Sequence, residues 1–519
     1  MALNIGELLA SAARAADGNV RSVLVDVGAE PGSARRELTA VALDAMARRV
    51  ARGLQARGIG RGRAVAVLSE NSAELVGAWF GVVYAGCIAV PVAVFSAAPE
   101  LCHRFTHAGC AAVLFDRQRE PLARAAAELA AEQGDDVQLI PIELAAHDTA
   151  HGGARFDLAP TSPADTAMLL YTSGTTATAK GAAISHASLL THTLALATHA
   201  LRLSPDDNVL GALPLSHSYG CRMVMLACLY AGARMVLVPR FNAARTRALL
   251  SSERITWVPV VPTMLAAWCA DESDVSKPAD LRWILSAGAP LADALALRAE
   301  ERLGVSVRQG YGMTEATFTA INAPPDERVL GSVGRPSWGV NVRVVDEQGR
   351  ELPAGQDGEV LVAGHNVMTR YLHDDASTQE ALENGFMHSG DIGHLDAHGR
   401  LWIVDRKKDL VIRGGHNVYP SEVEAALATH PAVHEVAVIG RPDAFYGEEV
   451  VAVVVRKQGA TVSARVLGVH ATGLVGRTKV PREIAFVTEL PLGVSGKVHK
   501  RTLRAWLTEG RLTLENATS

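Results

Sequence analysis

The sequence predicts an α/β protein. A large N-terminal part of parallel-sheet α/β subdomains carries a small β-barrel-like part, and a small α+β C-terminal domain follows. Three observations predict this. Short apolar strands alternate with helix-like stretches as far as Gly331, the pattern of parallel strands covered on both faces. From Gly331 to Leu361 the chain changes to period-two runs broken by DEQG and AGQDG, which predicts hairpins. After Asp405 come the charges RKKD, a Gly-Gly turn and a new mixture of helix and strand. We therefore expect an N-terminal domain over 1–405, β-rich over 331–405, and a C-terminal domain over 406–519.

Taken in order, RAVAVLSEN is the first clear strand, SAELVGAWFGVVYAG its helix and CIAVPVAV the next strand. Residues Val76 to Ala98 are uncharged and long enough to span a bilayer, but Gly77, Gly81, Gly86 and Pro91 interrupt them. A buried helix running into a buried strand fits that punctuation better than a membrane span. CAAVLFD, ARMVLVPR, ITWVPVV and LRWILSAGA are further short buried strands, and Ala clusters such as LARAAAELAAEQ mark surface helices. In the C-terminal part PSEVEAALATH starts a helix, with Pro420 in its first turn and Ser421 and Glu422 beside it. VHEVAVIGRP and EEVVAVVVRK are expected to alternate as strands of a small sheet.

At 519 residues the chain is too long for one core. Its net charge of −5 gives no general attraction to nucleic acid or an anionic membrane. Six cysteines show no CxxC pair or metal spacing, which suits free thiols in a reducing compartment. The start, MALNIGELLASAARAADG, lacks the basic and apolar regions of a signal peptide, so we expect a cytoplasmic protein.

The stretch carrying most chemical information is Tyr171 to Gly181, YTSGTTATAKG. Leu169 and Leu170 enter it as a strand would, and Thr172 to Ala177 have no side chain able to fill a core. Such a loop exposes backbone N–H groups and hydroxyls to a polyphosphate, and Lys180 supplies the countercharge. A flexible linker would not need Lys-Gly at a fixed offset before the helix-like ISHASLLTHTLALATHA.

This string resembles the phosphate loop of the adenylate-forming superfamily, which holds acyl-CoA synthetases, peptide-synthetase adenylation domains and luciferases. Further motifs of that family follow in order: LPLSHSYG from Leu213, SAGAPL from Ser286, QGYGMTE from Gln309 and HSGDIG from His388. GRLWIVDRKKDLVIRGGHNVYPSEVE from Gly399 and LPLGVSGKVHKR from Leu490 complete the set, so the resemblance covers essentially the whole chain. It implies ATP-dependent activation of a carboxylic acid to an acyl-adenylate, release of pyrophosphate, and transfer of the acyl group to a thiol.

Residue by residue, the resemblance assigns the β- and γ-phosphates to Thr172, Ser173, Gly174, Thr175, Thr176 and Lys180. Thr314 and Glu315 match the α-phosphate and Mg²⁺ positions. A carboxylate beside a triphosphate needs a cation between them, which is the physical case for Glu315. Asp391 and Arg406 match contacts to the ribose, and Gly288, Ala289, Pro290 and Tyr311 the walls around adenine. Lys497 matches the lysine that bridges the attacking carboxylate and the α-phosphate, and Asp405 matches the hinge of a mobile C-terminal lid. Gly414 and Gly415 would let a pantetheine arm pass along the backbone, and Tyr446 matches an aromatic near the nucleotide of CoA. A Tyr at a loop edge is also an ordinary packing residue.

His217 matches an aromatic or imidazole gate beside the acyl pocket, which Ser218, Tyr219, Trp257, Thr263 and Met313 would help to line. Arg222 could meet a second carboxylate on the substrate, but we expect a structural salt bridge there. Ala177 and Ala179 stand where relatives usually carry Gly and Pro, and GGHNVYP and LGVSGK also depart from the usual strings. Ala at a position needing positive φ costs about 1 kcal/mol.

The expected activity is that of an acyl-CoA synthetase for a small or medium acid, using ATP, Mg²⁺ and CoA. The alternative is a stand-alone enzyme loading a carrier-protein phosphopantetheine. A third reading is a non-catalytic nucleotide-binding regulator.

Overall fold

The computed structural model describes residues 3–15, 21–28, 34–143, 157–172, 179–270, 277–414, 416–492 and 498–518. The chain forms two compact units: Met1–Val342 with Val362–Met387, and Arg343–Leu361 with His388–Ser519. This division differs from a single cut at Asp405. The strand Leu401–Arg406 runs through that position without a break, so the change of charge and pattern there is not a change of compact unit.

The first unit holds two sheets. One has the strand order Arg370–Tyr371, Gly181–Ser185, Thr166–Tyr171, Ile88–Pro91, Ala64–Leu68, Cys110–Phe115, Gln138–Pro141. Its last five strands pair in parallel and Gly181–Ser185 joins antiparallel. The segment Val76–Ala98 divides into the helix Ala73–Tyr84 and the strand Ile88–Pro91. Ser72 caps the helix by accepting from the Leu75 N–H. Gly81 is needed on that helix, because a Cβ there would lie 2.5 Å from Val50 on the neighbouring helix Ala40–Ala56. Among the described residues no helix is long and apolar enough to cross a membrane.

The other sheet has five adjacent parallel pairings through Ser306–Tyr311, Trp283–Ser286, Trp257–Val260, Asn208–Gly211, Arg234–Leu237 and Leu24–Asp26. Short antiparallel strands finish both ends. Parallel strands put their C-terminal ends on one edge, where open α/β sheets bind ligands. Val260, Ser286 and Gln309 share a register and lie at that edge.

The second unit contains a six-stranded sheet in which Gly447–Arg456 pairs with Val433–Asp443, Val411–Arg413 and Glu483–Val487. Val450, Ala452 and Val454 enter one apolar cluster and Val451, Val453 and Val455 another. This corrects the alternation expected for EEVVAVVVRK: the strand is covered on both faces, which permits a continuous valine run.

Candidate active site

The phosphate-loop neck is built by the antiparallel pair Thr166–Tyr171 and Gly181–Ser185, with Tyr171 opposite Gly181. The Thr172 N–H donates to the Lys180 carbonyl at 3.0 Å and closes the neck. Gly181 is confined by the Tyr171 ring, which a Cβ would meet at 3.3 Å. Residues Ser173, Gly174, Thr175 and Thr176, and also Ala177, lie outside the described residues.

Next to this neck the strand Arg370–Tyr371 pairs with Ala182 and Ala183. That register brings together side chains from three distant segments. The Tyr371 hydroxyl donates to Glu315 Oε1 at 2.8 Å, and Lys180 Nζ lies 5.1 Å from the centre of the Tyr371 ring. Lys180 also donates to Ser377 Oγ and lies 3.5 Å from Asp374 Oδ2. Hydrogen bonds from Ser377 hold the Asp374 carboxyl below the usual carboxylate range, helped by Lys180. Burial, and then the Glu315 charge, keep the Tyr371 phenol protonated as the donor. Sequence reasoning missed Tyr371. Its only local signal is MTRYLHDD, a short strand-like pair before two acids.

A histidine group missed in the same way borders the neck. His103 Nε2 lies 3.2 Å from the Ala179 carbonyl and His107 Nδ1 2.9 Å from the Tyr171 hydroxyl. The His107 and His373 rings are 5.6 Å apart. Burial, followed by His103 and His373, lowers the His107 pKa, with Asp374 opposing.

At the C-terminal edge of the second sheet, Gly288 turns at φ +86° after the strand Trp283–Ser286, followed by Ala289 and Pro290. The space beside Gly288 is bounded by Val261 and Tyr219, 3.6 and 4.0 Å from where a Cβ would stand. Tyr219 donates to the Leu285 carbonyl at 2.9 Å and packs edge-on against Phe318, with ring centres 4.9 Å apart. Tyr311, Met313, Thr314 and Glu315 are half-buried. Gly312 is obligatory in their turn, since a Cβ would lie 2.2 Å from the Phe318 nitrogen. His217 is exposed just before the helical segment Ser218–Gly220, and Thr263 is exposed at the start of the helix Pro262–Ala270.

Two expectations change. Trp257 is fully buried at the N-terminal end of its strand, against Trp283. The strand runs three residues further to the ligand edge at Val260, so Trp257 is a core residue and not a pocket wall. Arg222 makes no structural salt bridge among the described residues. It is 0% exposed, and all three guanidinium nitrogens lack a hydrogen-bond partner.

In the second unit Asp391 and Arg406 face each other on paired strands, with Arg406 Nε 3.2 Å from Asp391 Oδ1. Asp405 accepts from the Arg406 and Ser421 N–H groups at 2.7 and 2.8 Å. The Gly414 N–H donates to the Tyr446 carbonyl at 2.7 Å, and a Cβ at Gly414 would meet the Tyr446 ring at 3.2 Å. The neighbouring Phe445 is 85% exposed, leaving an aromatic tip in solvent. Gly415 and Lys497 lie outside the described residues.

A lysine and a carboxylate gathered on one phenol, in a unit whose parallel sheet leads into the Gly288 turn, suit the binding of a phosphorylated ligand. The family model described as AMP-binding enzyme matches residues 12–372, and the one described as AMP-binding enzyme C-terminal domain matches residues 422–497. The sulfoacetate–CoA ligase of Cupriavidus necator is 34% identical over 481 residues, 90% of this chain and 92% of that protein. A feruloyl-CoA synthase from Amycolatopsis sp is 35% identical over 479 residues, covering 90% and 94%. The ATP-bound crystal structure of MatB from Rhodopseudomonas palustris superposes with a TM-score of 0.87 at 33% identity, over 97% of this chain and 99% of that one.

The chain belongs to the AMP-binding enzyme family. It is an acid–thiol ligase that works with ATP, Mg²⁺ and CoA, activating a carboxylic acid as its adenylate and then forming the thioester.

Proposed function

We propose that the acid is small or medium in size and that its adenylation is carried by Lys180, Thr314, Glu315 and Lys497. The observation carrying this reading is the convergence of Lys180 and Glu315 on Tyr371. In the first step a carboxylate oxygen attacks the α-phosphorus of ATP. A new P–O bond to the acyl group forms, and the bond to pyrophosphate breaks. Negative charge gathers on phosphate oxygens, and fixed cations and donors stabilise it without reorganising. Lys180 and Thr172 are proposed for the leaving phosphates, with Ser173, Gly174, Thr175 and Thr176 completing the loop. Lys497 supplies the cation between the attacking carboxylate and the α-phosphate.

Glu315 fits a magnesium ion. One oxygen is fixed by Tyr371 and the other remains for the metal. Among the described residues no three His, Cys, Asp or Glu side chains form a metal cage. A single carboxylate is what Mg²⁺ needs when phosphates and waters fill its remaining positions. When bound, the ion neutralises charge on the phosphate oxygens.

Gly288, Ala289, Pro290 and Tyr311 suit the adenine, and the paired Asp391 and Arg406 suit the ribose hydroxyls. In the second step the CoA thiol attacks the acyl carbonyl and AMP leaves. Gly414, Gly415 and Tyr446 are proposed for CoA, Asp405 as the hinge between the two steps, and His217, Ser218, Tyr219, Thr263 and Met313 for the acyl pocket. All six cysteines are free, which suits a reducing compartment, and we place the enzyme in the cytoplasm.

Mass spectrometry of the protein with ATP, Mg²⁺, CoA and a pooled set of carboxylic acids tests this function. An acyl-CoA product is expected, and its mass identifies the acid. Acyl-AMP without thioester would point to a carrier-protein phosphopantetheine as acceptor. ATP binding without any adenylate would favour a regulator.

A further inference from the structure

We propose that the acid carries a second anionic group, held by the buried guanidinium of Arg222. This rests on the adenylating function above and deepens it by naming the substrate class.

Arg222 lies in the wide helical turn Cys221–Leu226, which continues directly from the helical segment Ser218–Gly220 that carries Tyr219. It is fully buried, and its Nε, Nη1 and Nη2 have no hydrogen-bond partner among the described residues. Burial lowers its pKa to about 10, which leaves it charged at neutral pH. A buried charge without a counterion costs several kcal/mol, and an arginine fork matches a planar or tetrahedral oxyanion. A purely aliphatic monocarboxylic acid would leave that charge uncompensated.

Among the described residues the surroundings offer donors, and no carboxylate pairs with the guanidinium. His192 is fully buried, and among the described residues neither ring nitrogen reaches a partner at hydrogen-bond geometry. Burial, then Arg222 and His365, keep its imidazole neutral, with the Thr317 carbonyl opposing. The His192 and His365 rings are 5.3 Å apart, and His365 already uses Nε2 on the Trp338 carbonyl at 2.8 Å. The Thr317 hydroxyl is buried and unpartnered, and it precedes Phe318, the ring against which Tyr219 packs.

Tyr219, which bounds the space beside Gly288 and packs against Phe318, connects this segment to the sheet edge. Arg222 lies within one wide i→i+5 turn, Cys221–Leu226, and His192 just before another, Ala195–Ala200, a backbone form that recurs at functional sites.

The test is ATP–pyrophosphate exchange with dicarboxylic acids of three to six carbons, their neutral monoamides, and carboxylic acids bearing a terminal sulfonate at matched length. At least one dianionic acid is expected to exceed its monoamide by about 100-fold in kcat/KM. The carboxylate and sulfonate arms identify which anion fits. Arg222→Met is expected to remove that preference, and Arg222→Lys to restore part of it, while ATP binding by each variant reports folding.

Monoamides or simple aliphatic acids activated as well as the dianions would overturn the proposal, and that comparison needs no variant. So would an Arg222→Met enzyme that keeps the dianion preference, as expected if Arg222 is merely solvated by water. ATP binding with no exchange for any acid would instead overturn the adenylating function on which the proposal stands.

Discussion

At the scale of single residues, Tyr371 is where two motif residues acquire their geometry. Its hydroxyl donates to Glu315 and its ring lies near the Lys180 ammonium. Tyr371→Phe keeps the ring and removes the hydrogen bond. A hydrogen bond to a charged group contributes about 1.5–3 kcal/mol, so the KM for Mg·ATP should rise by about 10- to 100-fold. Initial rates at varied Mg²⁺ and ATP measure this, and an unchanged KM would remove Tyr371 from the site. Glu315 and Lys180 were legible because each sits in a motif with fixed local spacing. Tyr371 was not, because only the strand register against Gly181–Ser185 brings it there. Arg222 shows the other limit. Its charge is plain in the sequence, but the absence of a partner among the described residues depends on which distant segments pack around it.

At the scale of elements, the N-terminal helix Glu7–Ala15 is tied down by a buried acceptor. The Ile5 N–H donates to Nδ1 of His186, the first residue of the helix His186–Leu194, at 3.0 Å. Burial lowers the His186 pKa to about 4, with Asp165 opposing. The folded state therefore holds His186 neutral, while the unfolded chain takes up a proton below about pH 6.5. Its stabilising contribution is complete above that pH and falls away as pH drops toward 4, by on the order of 3 kcal/mol. Urea unfolding of His186→Asn at pH 7.5 and 5 should show a smaller acid loss than the parent, and equal losses would refute the assignment.

A second element depends on Asp405, whose carboxylate accepts from the Ser421 N–H in the first turn of the helix Pro420–Ala428. Asp405→Ala should lower the unfolding free energy of the second unit by about 1 kcal/mol, read by denaturant titration, whatever its part in a hinge. Most elements were legible because strand and helix periods differ and caps are local. The valine run Val450–Val455 misled on alternation, since a strand's second covered face is a property of the sheet.

At the scale of the whole molecule, one chain performs two displacements with different charge demands. Adenylation needs a cation where carboxylate and α-phosphate meet, and thioester formation needs a thiol at the acyl carbonyl. Lys497 is proposed for the first demand alone, while Gly414 and Tyr446, which the fold brings into contact, are proposed for the second. The two roles separate if each half-reaction is measured by itself. Lys497→Ala should slow ATP–pyrophosphate exchange by about 100-fold or more, the cost of removing one group that stabilises developing charge, with ATP binding largely intact. Given a synthetic acyl-adenylate and CoA, the same variant should form thioester at nearly the parent rate. Equal losses in both halves would mean that Lys497 supports a structure common to the two steps, and unchanged exchange would remove it from the chemistry.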